Sequence, residues 1–253
     1  MYEVCGKGQE SVERRRSVDS VKKALEFIEK DQARTIEDQK ELVLIEAPTG
    51  HEENRAREFA ERLKALGLEQ VHIDQGGNVI SVMKGAGTGP KVLLEGHLDT
   101  AFPFGTVKTV EERDGFLYAP GIGDDTRALA MLLGIVRALK HSGIRTMGDV
   151  IFVGTTREEG MGGLGGMKYF LGENNDIDIS LSIDNNDMAN IVYEATGGET
   201  YEVNFYGIGG HAFGAFGEME QPLHAAAMAV AKIAVFVVPK DPTTSFSVSN
   251  IHG

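Results

Sequence analysis

The chain has 253 residues, 42% of them hydrophobic and 25% charged, a balance that fits a soluble globular protein with one large domain and part of a second. A formal net charge of −13 disfavours nucleic acid and anionic membranes as partners, and a single cysteine, Cys5, excludes an internal disulfide framework. No run is long enough to span a bilayer and the polar N-terminus lacks an apolar signal core, so the expected compartment is the cytoplasm.

Residues 1–17 are polar and charged and read as a frayed leader. A helix is expected from Ser20 to Ile28, with Val21, Ala24, Leu25 and Ile28 on one face. A second helix is expected over roughly Ile36 to Ile45, stopped by Ala47-Pro48-Thr49-Gly50. A third runs from Glu53 to Leu66 and is closed by Gly67. Strand-like VHID, the turn Gly76-Gly77-Asn78 and strand-like VISVMKG follow, and after a GAGTGP loop KVLLEGHLD reads as a buried strand.

Ala101 to Pro120 is a long connection with a small hairpin. Thr126 to His141 reads as a strong helix with Leu129, Leu132, Leu133, Val136 and Leu139 inward. A strand at 149–154, the glycine-rich GMGGLGG, a helix MKYFLGEN and a strand at 179–184 complete this part. Helices alternating with buried strands argue an α/β fold, a mainly parallel sheet with helices on both faces. Near Tyr193 the pattern changes. ETYEVNFYGIG alternates apolar and polar residues as a half-exposed strand does, Pro222 to Phe236 is an alanine-rich amphipathic helix, and SFSVSNI starts another strand. The expected organisation is a leader at 1–17, a catalytic domain at 18–192 and part of a small α+β domain at 193–253.

The chemistry-bearing residues follow the apolar runs. His97 and Asp99 follow KVLLEG, Asp124 and Asp125 sit in the turn before a long helix, Glu158 and Glu159 follow DVIFVGTT, and Asp184 closes ISLSID. Open α/β sheets place their active sites at the carboxyl ends of strands. Histidine with converging carboxylates is a ligand set for a hydrolytic zinc centre. In His97-x-Asp99 both side chains fall on the same side of an extended segment, so Asp99 can fix the imidazole tautomer or orient the loop. Each pair alone has a plainer reading: a core histidine with a capping aspartate, two helix caps at Asp124-Asp125, two solvated loop carboxylates at Glu158-Glu159. The set of four strand-end sites is what argues for a metal centre. A nucleotide-binding reading of GMGGLGG is weak, because the two glutamates before it would repel a pyrophosphate.

GHLDT, GIGDDTR, TTREEG and SIDN, in this order, resemble the M20 metallopeptidases, a superfamily that includes tripeptide aminopeptidases, glutamate-releasing carboxypeptidases, aminoacylases and amino-acid deacylases. The likeness runs from about Ile36 to the C-terminus. It implies that His97 is a ligand of a first metal and Asp99 its orienting aspartate. It makes Asp124 the carboxylate bridging two metals, Asp125 a variable neighbour, Glu158 the general base, Glu159 a ligand of the second metal and Asp184 a further ligand of the first. His211, in Gly209-Gly210-His211, resembles the lid histidine that polarises the substrate carbonyl, often in the partner subunit's site. The implied cofactors are two Zn²⁺ ions, with Co²⁺ or Mn²⁺ as alternatives. The implied substrate is a short peptide or an N-acylated amino acid, cleaved at its amide, with a homodimer formed through the lid. Family members also supply a final histidine to the second metal; His252 reads as lid strand instead, so the chain is expected to be a fragment or a truncated gene product. The rival expectation is a truncated, catalytically impaired homologue that only binds metal and self-associates.

Overall fold

The computed structural model of the chain describes residues 11, 14–184, 190–217 and 220–252. Most of the leader, with Cys5, lies outside the described residues, as does Asn185 of the SIDN motif. The chain divides into two compact units, Met1–Asn190 and Ile191–Gly253.

The first unit begins with one long helix, α1 (Asp19–Val43), where the sequence suggests two. The polar stretch between the two expected helices carries no glycine or proline to stop it. Its polar side chains are engaged: Asp31 and Asp38 each lie 2.7 Å from the Arg137 guanidinium, and Arg34 and Arg62 close on Asp38 at 2.7 and 2.9 Å. A face that looks solvated by composition is therefore docked through ion pairs.

Next come α2 (Glu53–Ala65), β1 (Glu69–Ile73), β2 (Val79–Met83) and β3 (Val92–His97), then a small hairpin of β4 (Glu111–Arg113) and β5 (Phe116–Tyr118). They are followed by α3 (Thr126–Ser142), β6 (Val150–Thr155), α4 (Gly165–Glu173) and β7 (Ile179–Ser182). Helix α3 starts on the Asp125 side chain, which accepts from Ala128 N–H, and ends at Gly143 with φ 68°, a left-handed closure that glycine adopts without penalty.

The main sheet has the order β1-β2-β6-β3-β7. Strands β6, β3 and β7 run parallel, while β2 pairs antiparallel with both β6 and β1. The short connection 74–78, with its Gly76-Gly77-Asn78 turn, explains the antiparallel pairing of β1 with β2, since so few residues cannot make a parallel crossover. Alternation along the strands builds two cores. Val79, Val150 and Phe152 face α1, α2 and α3 through Leu42, Phe59, Leu63, Leu129, Leu132 and Leu133. Ile80, Leu93, Ile151 and Val153 face the opposite way, onto Phe170 of α4. Helices thus cover both faces. Strand β7 borders only β3, and its Ile179 and Leu181 stay 45% and 48% exposed.

The second unit holds helix α5 (Pro222–Ile233), with proline in its first turn. Among its described residues there is no strand. The alternation at 199–209 and the run at 245–251 have a strand's side-chain pattern, but pattern without a partner backbone makes no ladder.

No described helix is long and apolar enough to cross a membrane.

Candidate metal centre

The three parallel strands bring their carboxyl ends to one edge. Residues Gly96 and Gly154, and His97 and Thr155, are register partners across β3 and β6. A methyl group on Gly96 would sit 2.6 Å from Ala128 Cβ and 3.0 Å from Asp125 Oδ2. Glycine at that position lets the start of α3 rest directly on β3, and this close approach carries Asp124 and Asp125 to His97.

The His97 ring is 2% exposed. Its Nδ1 lies 3.0 Å from the Asp99 carbonyl oxygen and 3.5 Å from Asp99 Oδ1. Its Nε2 lies 2.8 Å from Asp124 Oδ1 and 4.0 Å from Glu158 Oε2. Two groups of side chains can each offer ligand atoms within 4.8 Å of one another: His97, Asp124 and Glu159, and His97, Asp125 and Asp184. The structure therefore draws His97, Asp124, Asp125, Glu158, Glu159 and Asp184 into one crevice at the strand ends, and it groups Asp184 with Asp125 rather than with Asp124 as the resemblance implies.

Asp99 is fully buried and accepts three hydrogen bonds besides its contact with His97. Glu158 N–H and Glu159 N–H each donate at 3.0 Å, and the Thr49 hydroxyl donates at 2.9 Å. The residue that lies against the imidazole Nδ1 also holds the backbone of the glutamate pair. Asp125, which the sequence resemblance leaves as a variable neighbour, is fully buried. Its Oδ2 accepts His97 N–H at 3.0 Å and its Oδ1 accepts Ala128 N–H at 3.4 Å.

The electrostatics are those of a site short of positive charge. Burial alone would lower the His97 imidazole, but the Asp99 hydrogen bond and the charges of Asp125, Asp99 and Glu158 outweigh it and raise the group to about 10. Burial is the main cause that pushes Asp125 up to about 8, against the pull of His97. Burial also raises Glu158, with Asp184, Glu159 and Asp99 adding to it, and raises Glu159 with Asp124 as the next cause. Asp99 goes the other way. Burial would raise it, yet His97, the two glutamate N–H groups and Thr49 together hold it below the ordinary aspartate value. A proton on His97 compensates part of the carboxylate charge, and a divalent cation would compensate more.

Three residues that sequence reasoning passed over stand behind this site. Arg55 is fully buried and donates to the carbonyls of Leu98 at 2.7 Å and Ile45 at 2.8 Å. Glu52 accepts Arg157 N–H at 3.0 Å and Gly50 N–H at 2.7 Å. Thr49 makes the bond to Asp99 already described. In the sequence Thr49 reads as part of the stop after the second helix and Arg55 as a residue of the third, and nothing there signals that Glu52 and Arg55 are buried charges. His211 belongs to the second unit, in an exposed turn where its Nδ1 accepts from Phe213 N–H at 3.3 Å and Gly214 N–H at 3.2 Å.

A family model described as peptidase family M20/M25/M40 matches residues 93–249, more than half of the chain and all of the strand-end residues above. The chain belongs to this family. Among its M20 relatives is a Pyrococcus abyssi protein provisionally named a LysW-lysine/LysW-ornithine hydrolase, 38% identical over 121 residues, covering 48% of this chain and 32% of that protein. Carboxypeptidase G2 of a Pseudomonas species is 32% identical over 139 residues, covering 51% of this chain and 33% of the relative. The M20 chain thus spans about a third of the length of these curated relatives. A solved tripeptidase of Staphylococcus aureus superposes with a TM-score of 0.54 at 26% identity, over 79% of this chain and 56% of that one.

Proposed function

We propose that this chain carries the metal-binding catalytic unit of a hydrolase that cleaves the amide bond of a short peptide or N-acylated amino acid. The observation that carries the reading is the contact of His97 Nε2 with Asp124 at 2.8 Å, in a crevice where Asp99 holds the backbone of both glutamates. One imidazole among several carboxylates is a donor set suited to zinc, cobalt or manganese. His97, Asp124 and Asp184 would hold one ion, and Asp124 and Glu159 a second. Asp125 is occupied by two backbone N–H groups and serves as a buried support. Bound divalent ions supply an acidified water and a polarised carbonyl.

The remaining steps belong to the protein. Glu158 takes a proton from the attacking water and returns it to the leaving amine nitrogen. Burial and neighbouring carboxylates raise its pKa from the ordinary glutamate value, which moves a general base toward neutral operation. Asp99 fixes the His97 ring and the position of Glu158. In this reading residues 18–192 are the catalytic domain, 193–253 belong to a lid through which two copies associate, and His211 donates to the developing oxyanion.

The test has two arms. Elemental analysis after dialysis against zinc, cobalt or manganese should find tightly held metal in the 253-residue chain, lost in His97→Ala. Assay of the chain against dipeptides, tripeptides and N-acyl amino acids should find hydrolysis that a chelator abolishes. Unchanged metal content in His97→Ala would remove the basis of the proposal.

A further inference from the structure

The segment that opens α2 touches both loops that carry the site. Thr49, Glu52 and Arg55 are spaced three residues apart, and each reaches a different point. Thr49 donates its hydroxyl to Asp99 Oδ2 at 2.9 Å, and its backbone N–H donates to Thr100 carbonyl at 3.3 Å. Glu52 accepts the N–H of Arg157, the residue before Glu158, at 3.0 Å. Arg55 donates to the carbonyl of Leu98, the residue between His97 and Asp99, at 2.7 Å.

Arg55 is the least expected of the three. It is fully buried, and its bonded acceptors are backbone carbonyls: Leu98, Ile45 at 2.8 Å and Val43 at the limit of 3.5 Å. Val43 and Ile45 lie at the end of α1, where helix carbonyls lack partners of their own. One guanidinium therefore joins the end of α1 to the loop bearing His97 and Asp99. Burying a guanidinium is costly, and an apolar side chain of similar length would fill the same space. What such a side chain would lose is the fixed direction of the Leu98 carbonyl. The Leu98 N–H is already held by Thr155 carbonyl at 2.7 Å, so the peptide around it is pinned from both sides. Asp99 Oδ1 and Oδ2 then meet Glu158 and Glu159 N–H, and Glu52 meets the preceding N–H of the same loop, that of Arg157. The two ligand-bearing loops come from different strands, and this one segment is bonded to both.

We propose that Thr49, Glu52 and Arg55 form a clasp of positioning residues that hold the His97–Asp99 and Arg157–Glu159 loops in mutual register, so that the imidazole and carboxylates are prearranged for a cation. This rests on the reading of the crevice as a metal site. None of the three side chains is placed as a ligand; they act through Leu98, Asp99 and the loop backbone.

The test is titration of the 253-residue chain with Co²⁺, followed by the visible absorption of the bound ion, with thermal melting of the metal-free chain measured in parallel. Arg55→Met should weaken Co²⁺ binding by about ten- to a hundredfold, as loss of an outer support to a metal site does, and should change the shape of the absorption band. Arg55→Lys should recover part of the affinity. Thr49→Val removes one hydroxyl from Asp99 without disturbing α2, and should shift the band with a smaller loss of affinity. If Arg55→Met does not fold, Thr49→Val and Arg55→Lys decide the matter. A fall in melting temperature with unchanged Co²⁺ affinity and spectrum would mean that the clasp is only a scaffold, and would overturn the proposal. Absence of Co²⁺ uptake by the unsubstituted chain would instead overturn the metal-site reading, and the clasp with it.

Discussion

Asp99 Oδ1 accepts the backbone N–H of Glu158 at 3.0 Å, across 59 residues of sequence. Oδ2 takes the N–H of Glu159 at the same distance, while the carboxylate also faces His97 Nδ1. A single aspartate thus couples the buried ring of His97 to the backbone of both glutamates. Asp99→Asn tests this coupling. The amide keeps the shape but presents an NH₂ group where an N–H already points, so one of the two backbone bonds is lost. Metal affinity should fall by about ten- to a hundredfold, with a matching loss of hydrolytic rate. Isothermal titration and a steady-state assay on the same preparation check both numbers.

The adjacent glutamates have opposite expected behaviour. Glu159 groups with His97 and Asp124 as a possible ion ligand, whereas Glu158 Oε2 stands 4.0 Å from His97 Nε2. Glu158→Gln should keep the metal and lower the rate by about 10²–10⁴-fold, the usual worth of a general base. Glu159→Gln should lose metal. Elemental analysis of the two variants side by side gives the answer, and metal loss from Glu158→Gln alone would reverse the two roles.

The strand-end placement of His97, Glu158 and Asp184 was legible because each follows a short apolar run with an abrupt polar end. The parallel core of β6, β3 and β7 was legible for the same reason. What escaped was decided by pairing and burial rather than by periodicity. The continuous α1 depends on Asp38 meeting three arginines, two of them from other helices. Asp125 was undervalued because nothing in two consecutive aspartates tells which one turns inward. Arg55 was missed because a charged residue in a helix normally faces water. The alternating segment at 199–209 erred in the other direction, since a strand's pattern is necessary for a ladder and does not supply its partner.

Asp38 offers a stability prediction separate from the site. Its side chain is 2% exposed and is met by Arg34, Arg62 and Arg137, which link α1, α2 and α3. Asp38→Asn removes the buried anion the three arginines share while Arg137 keeps Asp31 and Arg62 keeps Glu41 and Glu58, so the cost is that of lost hydrogen bonds to charged groups, about 1.5–3 kcal/mol. Urea unfolding should show that loss. Metal affinity should stay within about twofold, because changes at separated sites are nearly additive.

The charge balance of the crevice gives the last prediction, on pH. In the metal-free chain His97 is raised from 6.5 to about 10 and Asp125 from 3.8 to about 8. Both groups hold a proton more tightly folded than unfolded. For His97 the stabilisation is complete below the unfolded value of 6.5 and is lost as pH rises through about 10. For Asp125 the corresponding loss runs from 3.8 to about 8. Stability of the metal-free chain should therefore fall as pH is raised from about 6 to about 10. A cation takes over the role of the proton on His97, so its apparent affinity should move the opposite way. It should rise about tenfold per pH unit up to roughly 10, with one proton released per ion bound to His97. Thermal melts with and without zinc across this range check the crossing of the two trends. A metal-free melting temperature that climbs with pH, or zinc affinity independent of pH, would contradict the assignment of His97 as the group the ion must deprotonate.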